Sequence, residues 1–227
     1  LSSNCDSAFV DNNTIKSNGN SDSGRSLRLF EVEDSTIYNN TIDSNDYSGI
    51  VITESSNNKI VQNVVKGNGK YGIQILNDAT KSANNTIKDN TINDNSDIAI
   101  FNHGIFTTIF NNTIKYNEED GIKIASGGAR TTIDSNNLVD NEGKAIAILA
   151  NNVIIKSNTV DADSSEIAVS VLTANSVSIE NNTIEGGSQG IKIQNGPNAF
   201  VYKNTVKSNS GYGIYLLINS VSGDVKQ

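Results

Sequence analysis

The sequence predicts an all-β solenoid: about nine coils of three short strands each, stacked along one axis. Three observations carry that expectation. A motif of the form Asn-Asn-Thr-Ile recurs along the chain, the apolar runs between polar bends are short and alternating, and one asparagine keeps its place in every unit. Self-similarity at a fixed period marks a repeat architecture and has to be read before any local pattern. Short, β-branched, alternating runs are strands rather than helices.

The motif is clearest in Ser35-Thr36-Ile37-Tyr38-Asn39-Asn40-Thr41-Ile42-Asp43-Ser44-Asn45, followed by Gly49-Ile50-Val51-Ile52. It returns as Thr108-Ile109-Phe110-Asn111-Asn112-Thr113-Ile114-Lys115-Tyr116-Asn117 with Gly121-Ile122-Lys123-Ile124, and as Ser178-Ile179-Glu180-Asn181-Asn182-Thr183-Ile184 with Gly190-Ile191-Lys192-Ile193. Aligned on its second asparagine, the chain divides into nine units at Asn13, Asn40, Asn63, Asn90, Asn112, Asn136, Asn158, Asn182 and Asn204. Successive spacings are 27, 23, 27, 22, 24, 22, 24 and 22 residues. Five residues later stands a second polar column: Asn18, Asn45, Asn68, Asn95, Asn117, Asn141, Asp163, Gly187 and Asn209.

A third strand closes each unit, with apolar pairs such as Leu27/Leu29, Ile50/Ile52, Ile98/Ile100, Ile122/Ile124, Ile167/Val169 and Ile214/Leu216. One unit cannot close a core by itself. Stacked units can, each strand pairing in parallel with its equivalent one coil along. At about 4.8 Å per coil, nine coils make a rod roughly 40 Å long. The uneven spacing places insertions in turns, at Gly19 to Gly24, Asn77 to Ala83 and Ser126 to Arg130. The repeat runs from end to end, so residues 1–227 read as one domain, or as a piece of a longer solenoid.

The asparagine columns have a physical reason. At each bend the backbone leaves the ladder, and its buried peptide groups need partners. An inward Asn offers donor and acceptor, tolerates the left-handed conformation, and can bond the same Asn one coil along. The columns therefore read as structural, and the Thr that follows (Thr14, Thr41, Thr91, Thr113, Thr159, Thr183, Thr205) as an outward strand position.

Composition bounds the rest. The hydrophobic fraction is 36% and the aromatic fraction 6%, with 36 Asn. Such polarity would mean disorder if it were unpatterned, and here it is periodic. Net charge is −8, which disfavours nucleic acid and anionic membrane as partners. No run of 18 apolar residues exists to span a bilayer. The chain opens at Leu1 and contains no Met, as expected of a processed or trimmed product. The lone Cys5 has no partner within the chain. It reads as a small residue of the first partial coil, with an intermolecular bridge or reactive thiol as the alternative. One His and one Cys do not make a structural zinc site.

The Asn-Asn-Thr-Ile…Asn…Gly-Ile-x-Ile pattern resembles the right-handed parallel β-helix repeat family over almost the whole length. That family includes pectate lyases, polygalacturonases, mannuronan C5-epimerases, alginate lyases, phage tailspikes and a periplasmic copper-enzyme maturation protein. The resemblance implies the fold, an extracellular or cell-surface setting and a polysaccharide partner, without selecting an activity. Its epimerases and related lyases carry an Asp-Pro-His-Asp cluster, which this chain lacks: the only Pro is Pro197 and the only His is His103. The polygalacturonase elements find partial echoes in Glu119-Asp120-Gly121 and Asn102-His103-Gly104, but in inverted order and without the later Arg-x-Lys element. If the chain does acid–base chemistry, His103 is its candidate, with Asp97 and Asp120 the nearest carboxylates by coil register. The plain reading of His103 is a surface turn histidine.

The outward middle residue of the third strand reads Arg28, Val51, Gln74, Ala99, Lys123, Ala147, Ala168, Lys192 and Tyr215. Arg28, Gln74, Lys123, Lys192 and Tyr215 could bind an acidic glycan in an extended groove, although solvated strand faces look similar. Asn18 to Gly24 and Asp43 to Asp46 resemble calcium loops, but neither keeps the ligand spacing or the distal Glu of such a loop. Turn chemistry explains both, so calcium is a secondary expectation and no other cofactor is implied. Sequons at Asn12, Asn39, Asn84, Asn111 and Asn181 follow mostly from the repeat and would be glycosylation acceptors if they face outward. Leu1 to Ala8 is too short and polar for a capping helix, and Gly213 to Ile218 is strongly strand-forming. These ends fit two expectations equally: end-to-end stacking into filaments, or a fragment whose caps lie outside these residues. The leading functional expectation is a secreted rod with a structural, adhesive or glycan-binding role. The alternative is a lyase, hydrolase or C5-epimerase of acidic polysaccharide.

Overall fold

The computed structural model describes residues 6–19, 26–76, 81–163, 165–217 and 225–226. The first coil is formed by strands Phe9–Asp11, Thr14–Lys16 and Leu27–Phe30, the second by Thr36–Tyr38, Thr41–Asp43 and Ile50–Thr53. The pattern continues to the ninth, Phe200–Tyr202, Thr205–Lys207 and Ile214–Leu217. First, second and third strands stack into three continuous parallel sheets, here sheets 1, 2 and 3. A further strand, Val225–Lys226, pairs with Phe200–Tyr202 as the tenth of sheet 1. No helix occurs among the described residues.

Register follows the sequence columns. Ile37 stands between Val10 and Ile60 in sheet 1, and Ile42 between Ile15 and Val65 in sheet 2. These inward residues and the Ile, Leu and Val of sheet 3 form one continuous core, its middle coils fully buried. The alternation of the strands is what puts the apolar side chains inside and Thr, Lys and Asp outside.

The bend between sheets 1 and 2 takes two residues. The first lies in the left-handed region, with φ between 52° and 57° at Asn12, Asn39, Gln62, Asp89, Asn111, Ser135, Ser157, Asn181 and Lys203. The second is the ladder asparagine. The left-handed conformation is thus carried by the residue before the ladder Asn, not by the ladder Asn itself as expected from sequence. Each ladder oxygen accepts two bonds from the previous coil: Asn90 N and Nδ2 reach Asn112 Oδ1 at 3.0 and 2.9 Å, and Asn112 N and Nδ2 reach Asn136 Oδ1 at 2.9 and 2.9 Å. The chain of bonds runs unbroken from Asn13 through Asn40, Asn63, Asn90, Asn112, Asn136, Asn158 and Asn182 to Asn204.

The second column is continuous only from Asn18 to Asn141. At the seventh coil Asp163 turns out to solvent and Ser165 Oγ donates to Asn141 O instead, at 2.8 Å. A third, shorter column lies at the bend entering sheet 1, where Ser35 N reaches Asn58 Oδ1 and Asn58 N reaches Asn85 Oδ1, both at 3.0 Å. Further along, the same place is taken by Thr107, Thr131, Val153, Val177 and Ala199.

Sheet 3 corrects the expected register in two coils. Gln74 pairs with Phe101 and Ala147 with Ser170, so Phe101 and Ser170 are the outward residues rather than Ala99 and Ala168. Of the expected insertions, Ser126 to Arg130 forms a turn against the third sheet. Residues 20–25 and 77–80, which hold most of the Gly19 to Gly24 and Asn77 to Ala83 segments, lie outside the described residues, as do residues 1–5, with Cys5, and Ile218.

Candidate functional site

The outer face of sheet 3 differs in chemistry from the Thr-, Lys- and Asp-rich faces of sheets 1 and 2. Its central column runs Arg28, Val51, Gln74, Phe101, Lys123, Ala147, Ser170, Lys192 and Tyr215. All five residues singled out in sequence share this column, but not equally. Gln74 is buried at 7% exposure, with Oε1 accepting from Ser48 Oγ at 3.4 Å, and the Arg28 guanidinium lies 4.6 Å over the Phe30 ring. Lys123, Lys192 and Tyr215 are half-buried and reachable. Val51 and Gln74 are buried, so the reachable stretch that starts at Phe101 in the fourth coil is separated from the half-buried Arg28.

Two aromatic pairs bracket it. Tyr71 and Phe101 stack with centroids 5.4 Å apart at one end, Tyr212 and Tyr215 with centroids 4.6 Å apart at the other. Beside the first pair, Lys70 Nζ donates to the Tyr47 hydroxyl at 3.0 Å and sits 4.8 and 5.1 Å from the Tyr47 and Tyr71 rings. The Tyr47 hydrogen bond holds Lys70 above its ordinary pKa, while burial and then the Asp97 carboxylate push Tyr71 up. Sequence reading missed Tyr71 and Tyr212. The signal was available: both stand in a Tyr-Gly-Ile that opens a third strand.

Between the aromatic pairs lies a depression of about 140 Å³ lined by Lys123, Lys144, Ala147, Leu149, Ser170 and Leu172, with Asp120 at its edge. The small Ala147 and Ser170 side chains make the floor. Asp120 is committed elsewhere: its Oδ1 accepts from Lys144 N at 2.7 Å, and its Oδ2 lies 3.8 Å from Lys123 Nζ. Two ammonium groups against one carboxylate leave the site with a net charge of +1.

The three acid–base candidates do not converge. His103 follows the C-terminal end of strand Ile100–Asn102, whereas Asp97 precedes its N-terminal end and accepts from Ile98 N at 2.8 Å. Asp120 stands at the corresponding early position of the next coil. The His103 ring is walled by the next turn, where a Cβ on Gly127 would stand 2.3 Å from both Cε1 and Nδ1, and Nδ1 is buried with no hydrogen-bond partner. The preceding Asn102 points inward, bonded to Thr131 Oγ1 at 2.9 Å, Thr107 Oγ1 at 3.1 Å and both backbone groups of Gly104 at 3.0 Å. Asn102-His103-Gly104 thus builds a corner of the coil.

The sequon asparagines Asn12, Asn39, Asn84, Asn111 and Asn181 are all exposed. Asp43, in the calcium-like segment, is held below the usual carboxylate range by its 2.9 Å bond from Lys16 and by Ser44, while Asn45 belongs to the second ladder. Around the seventh coil Asp161 is pushed up by burial and then by Asp163 and Asp140, and its Oδ1 is buried without a partner. Among the described residues, no group of three or more His, Cys, Asp or Glu side chains is placed to hold a metal ion, and no helix is long and apolar enough to cross a membrane.

Stacked parallel coils, polar ladders at the bends and one chemically varied face define a β-helix protein. The chain belongs to the family described as "Right handed beta helix region", whose model matches residues 1–107, 79–160 and 98–226. No curated protein matches it. Among solved structures it is similar to PfbA, a surface adhesin of Streptococcus pneumoniae, with TM-score 0.67 and 16% identity over 96% of this chain and 69% of that one. It is also similar to the A-module of the Azotobacter vinelandii mannuronan C-5 epimerase AlgE4 (TM-score 0.64, 12% identity, 94% and 81% covered) and to an alginate lyase from Paenibacillus sp. (0.63, 12%, 92% and 91%). At these identities the likeness is one of fold.

Proposed function

We propose that the protein is a secreted or surface-exposed rod that binds a glycan along the outer face of sheet 3, without catalysing its turnover. The observation that carries this reading is the arrangement of two stacked aromatic pairs, Tyr71–Phe101 and Tyr212–Tyr215, on either side of a lysine-edged floor. Aromatic faces present a large rigid apolar surface to sugar C–H groups, and ammonium groups on flexible stems take up acidic or hydroxyl substituents. The fold it shares with a surface adhesin and with polysaccharide-acting enzymes supports both the setting and the ligand class. The catalytic alternative, a lyase, hydrolase or epimerase of acidic polysaccharide, draws on the same fold, but its candidates His103, Asp97 and Asp120 do not converge.

Affinity electrophoresis against a panel of neutral and acidic polysaccharides tests the proposal, together with the absorbance of unsaturated uronate as a readout of lyase turnover. Retardation by at least one polysaccharide is expected, weakened about 2- to 10-fold by Phe101→Ala or Tyr215→Ala at unchanged melting temperature. Turnover abolished by His103→Ala would replace binding with catalysis. Association of rods end to end by strand pairing is part of the same proposal. Light scattering over a concentration series reads it: growth in mass supports it, and a constant monomer mass at high concentration removes it.

A further inference from the structure

The depression on sheet 3 is chemically two-sided, and that asymmetry specifies more than a glycan. Lys144 and Lys123 stand at one end, Leu149 and Leu172 at the other, with the Ser170 hydroxyl on the floor between them. Among the described residues Lys144 makes no ion pair, and Lys123 has only the 3.8 Å approach of Asp120, whose other oxygen is held by a backbone N–H. The cationic end is therefore able to receive an anion. Leu172 is 38% exposed and stands in the outward row that holds Phe30, Thr53, Leu76, Gln194 and Leu217 in other coils. Here this largely apolar row borders the lysine-edged depression.

Size restricts the occupant. A cavity of about 150 Å³ accepts a group of benzene dimensions, so 140 Å³ holds part of one sugar residue and a short substituent, not a length of chain. We infer that this site takes an acidic sugar unit bearing an acetyl group, its carboxylate against Lys144 and Lys123 and its acetyl methyl against Leu149 and Leu172. The inference rests on the glycan-binding reading and goes beyond it by naming the substituent. A plain uronate would satisfy the lysines and leave the leucines facing water. An uncharged acetylated sugar would leave an unneutralised cationic end.

Two matched pairs of probes test it with the intact protein: O-acetylated polygalacturonate and O-acetylated alginate, each against the same sample after alkaline de-acetylation. In at least one pair the acetylated form should bind about fourfold or more tightly, the effect of one buried methyl-sized group. Leu172→Asn, an exposed strand position, should remove the preference and keep binding to the de-acetylated form, whereas Lys144→Ala should weaken both members of the pair. Equal binding within both pairs overturns the acetyl inference and leaves glycan binding standing. A preference that survives Leu172→Asn and Leu149→Asn overturns it equally. Failure of all four probes, and of the wider panel, removes the glycan reading and the inference with it.

Discussion

Asn112 gives both its backbone N–H and its side-chain amide to the one oxygen of Asn136, at 2.9 Å each, and its own oxygen is used the same way by Asn90. Its amide also reaches Ile87 O and Phe110 O, at 3.0 and 3.1 Å, so every valence of this buried side chain is filled. Asn112→Ala should therefore cost roughly 1–3 kcal/mol, because the truncation leaves buried donors and carbonyls unpaired. The matching change at the exposed end of the ladder, Asn13→Ala, should cost much less, since water replaces what is lost. Urea midpoints of the two variants decide. Equal midpoints would show that position in the ladder does not matter.

The coupling of His103 to the next turn gives a second expectation. A methyl at Gly127 would fall on the imidazole and also 2.8 Å from His103 O. Gly127→Ala should destabilise by about 1–3 kcal/mol, the usual range for overpacking. In a His103→Ala background most of that penalty should vanish, with a remainder from the backbone oxygen. Thermal melts of the four proteins in this cycle measure the interaction. Strict additivity would mean that the ring is not seated against the turn.

Much of this was legible in the sequence, and the misses have causes. The first ladder and the inward columns of sheets 1 and 2 follow from spacing alone, because two residues always separate those strands. Sheet 3 is harder, since its approach varies in length and the marker glycine (Gly49, Gly72, Gly121, Gly190) becomes alanine at Ala99 and Ala168. There the runs Ile98-Ala99-Ile100 and Ile167-Ala168-Val169 alternate acceptably in the wrong frame. The polar Asn102 at an inward place hid the right one. The candidate site was partly visible as a column of unlike residues. Its limits were not: burial of Gln74, the occupation of Arg28 by Phe30 and the lateral contributions of Tyr71, Lys144 and Tyr212 depend on side chains crossing between coils.

The carboxylates of the sixth and seventh coils predict a pH effect. Asp161 is held above its ordinary pKa by burial first, then by Asp163 and Asp140. A carboxyl with a raised folded-state pKa binds more protons folded than unfolded, so its contribution to stability falls as pH rises from its unfolded value near 3.8 through its folded value. Asp161→Asn should accordingly be more stable than the parent at pH 7, with the advantage shrinking as pH is lowered toward 4. Melting temperatures of both proteins across that interval test the sign. An advantage that grows on acidification would mean that the charge of Asp161 is stabilising.

The last expectation concerns the one polar intrusion in the apolar column of sheet 3. Asn102 stands in register between Ile75 and Ile124, and it is tolerated because Thr107, Thr131 and Gly104 close a network around it. The molecule contains the apolar alternative as well: where Thr107 and Thr131 stand, the seventh and eighth coils have buried Val153 and Val177, and their column is completed by Ile148 and Val171. Asn102→Ile alone restores the apolar column yet strips partners from two buried hydroxyls and from Gly104, and should cost about 1–3 kcal/mol despite the added hydrophobic volume. The Thr107 and Thr131 hydroxyls keep their bonds to Gly104 O and Gly128 O, at 3.1 and 2.7 Å, so adding Thr107→Val and Thr131→Val strips those buried carbonyls and should deepen the loss. Urea denaturation of the single and triple variants measures both steps. A single variant as stable as the parent would show that the network is incidental, and a triple variant more stable than the single would show that the hydroxyls, not the carbonyls they satisfy, carry the cost.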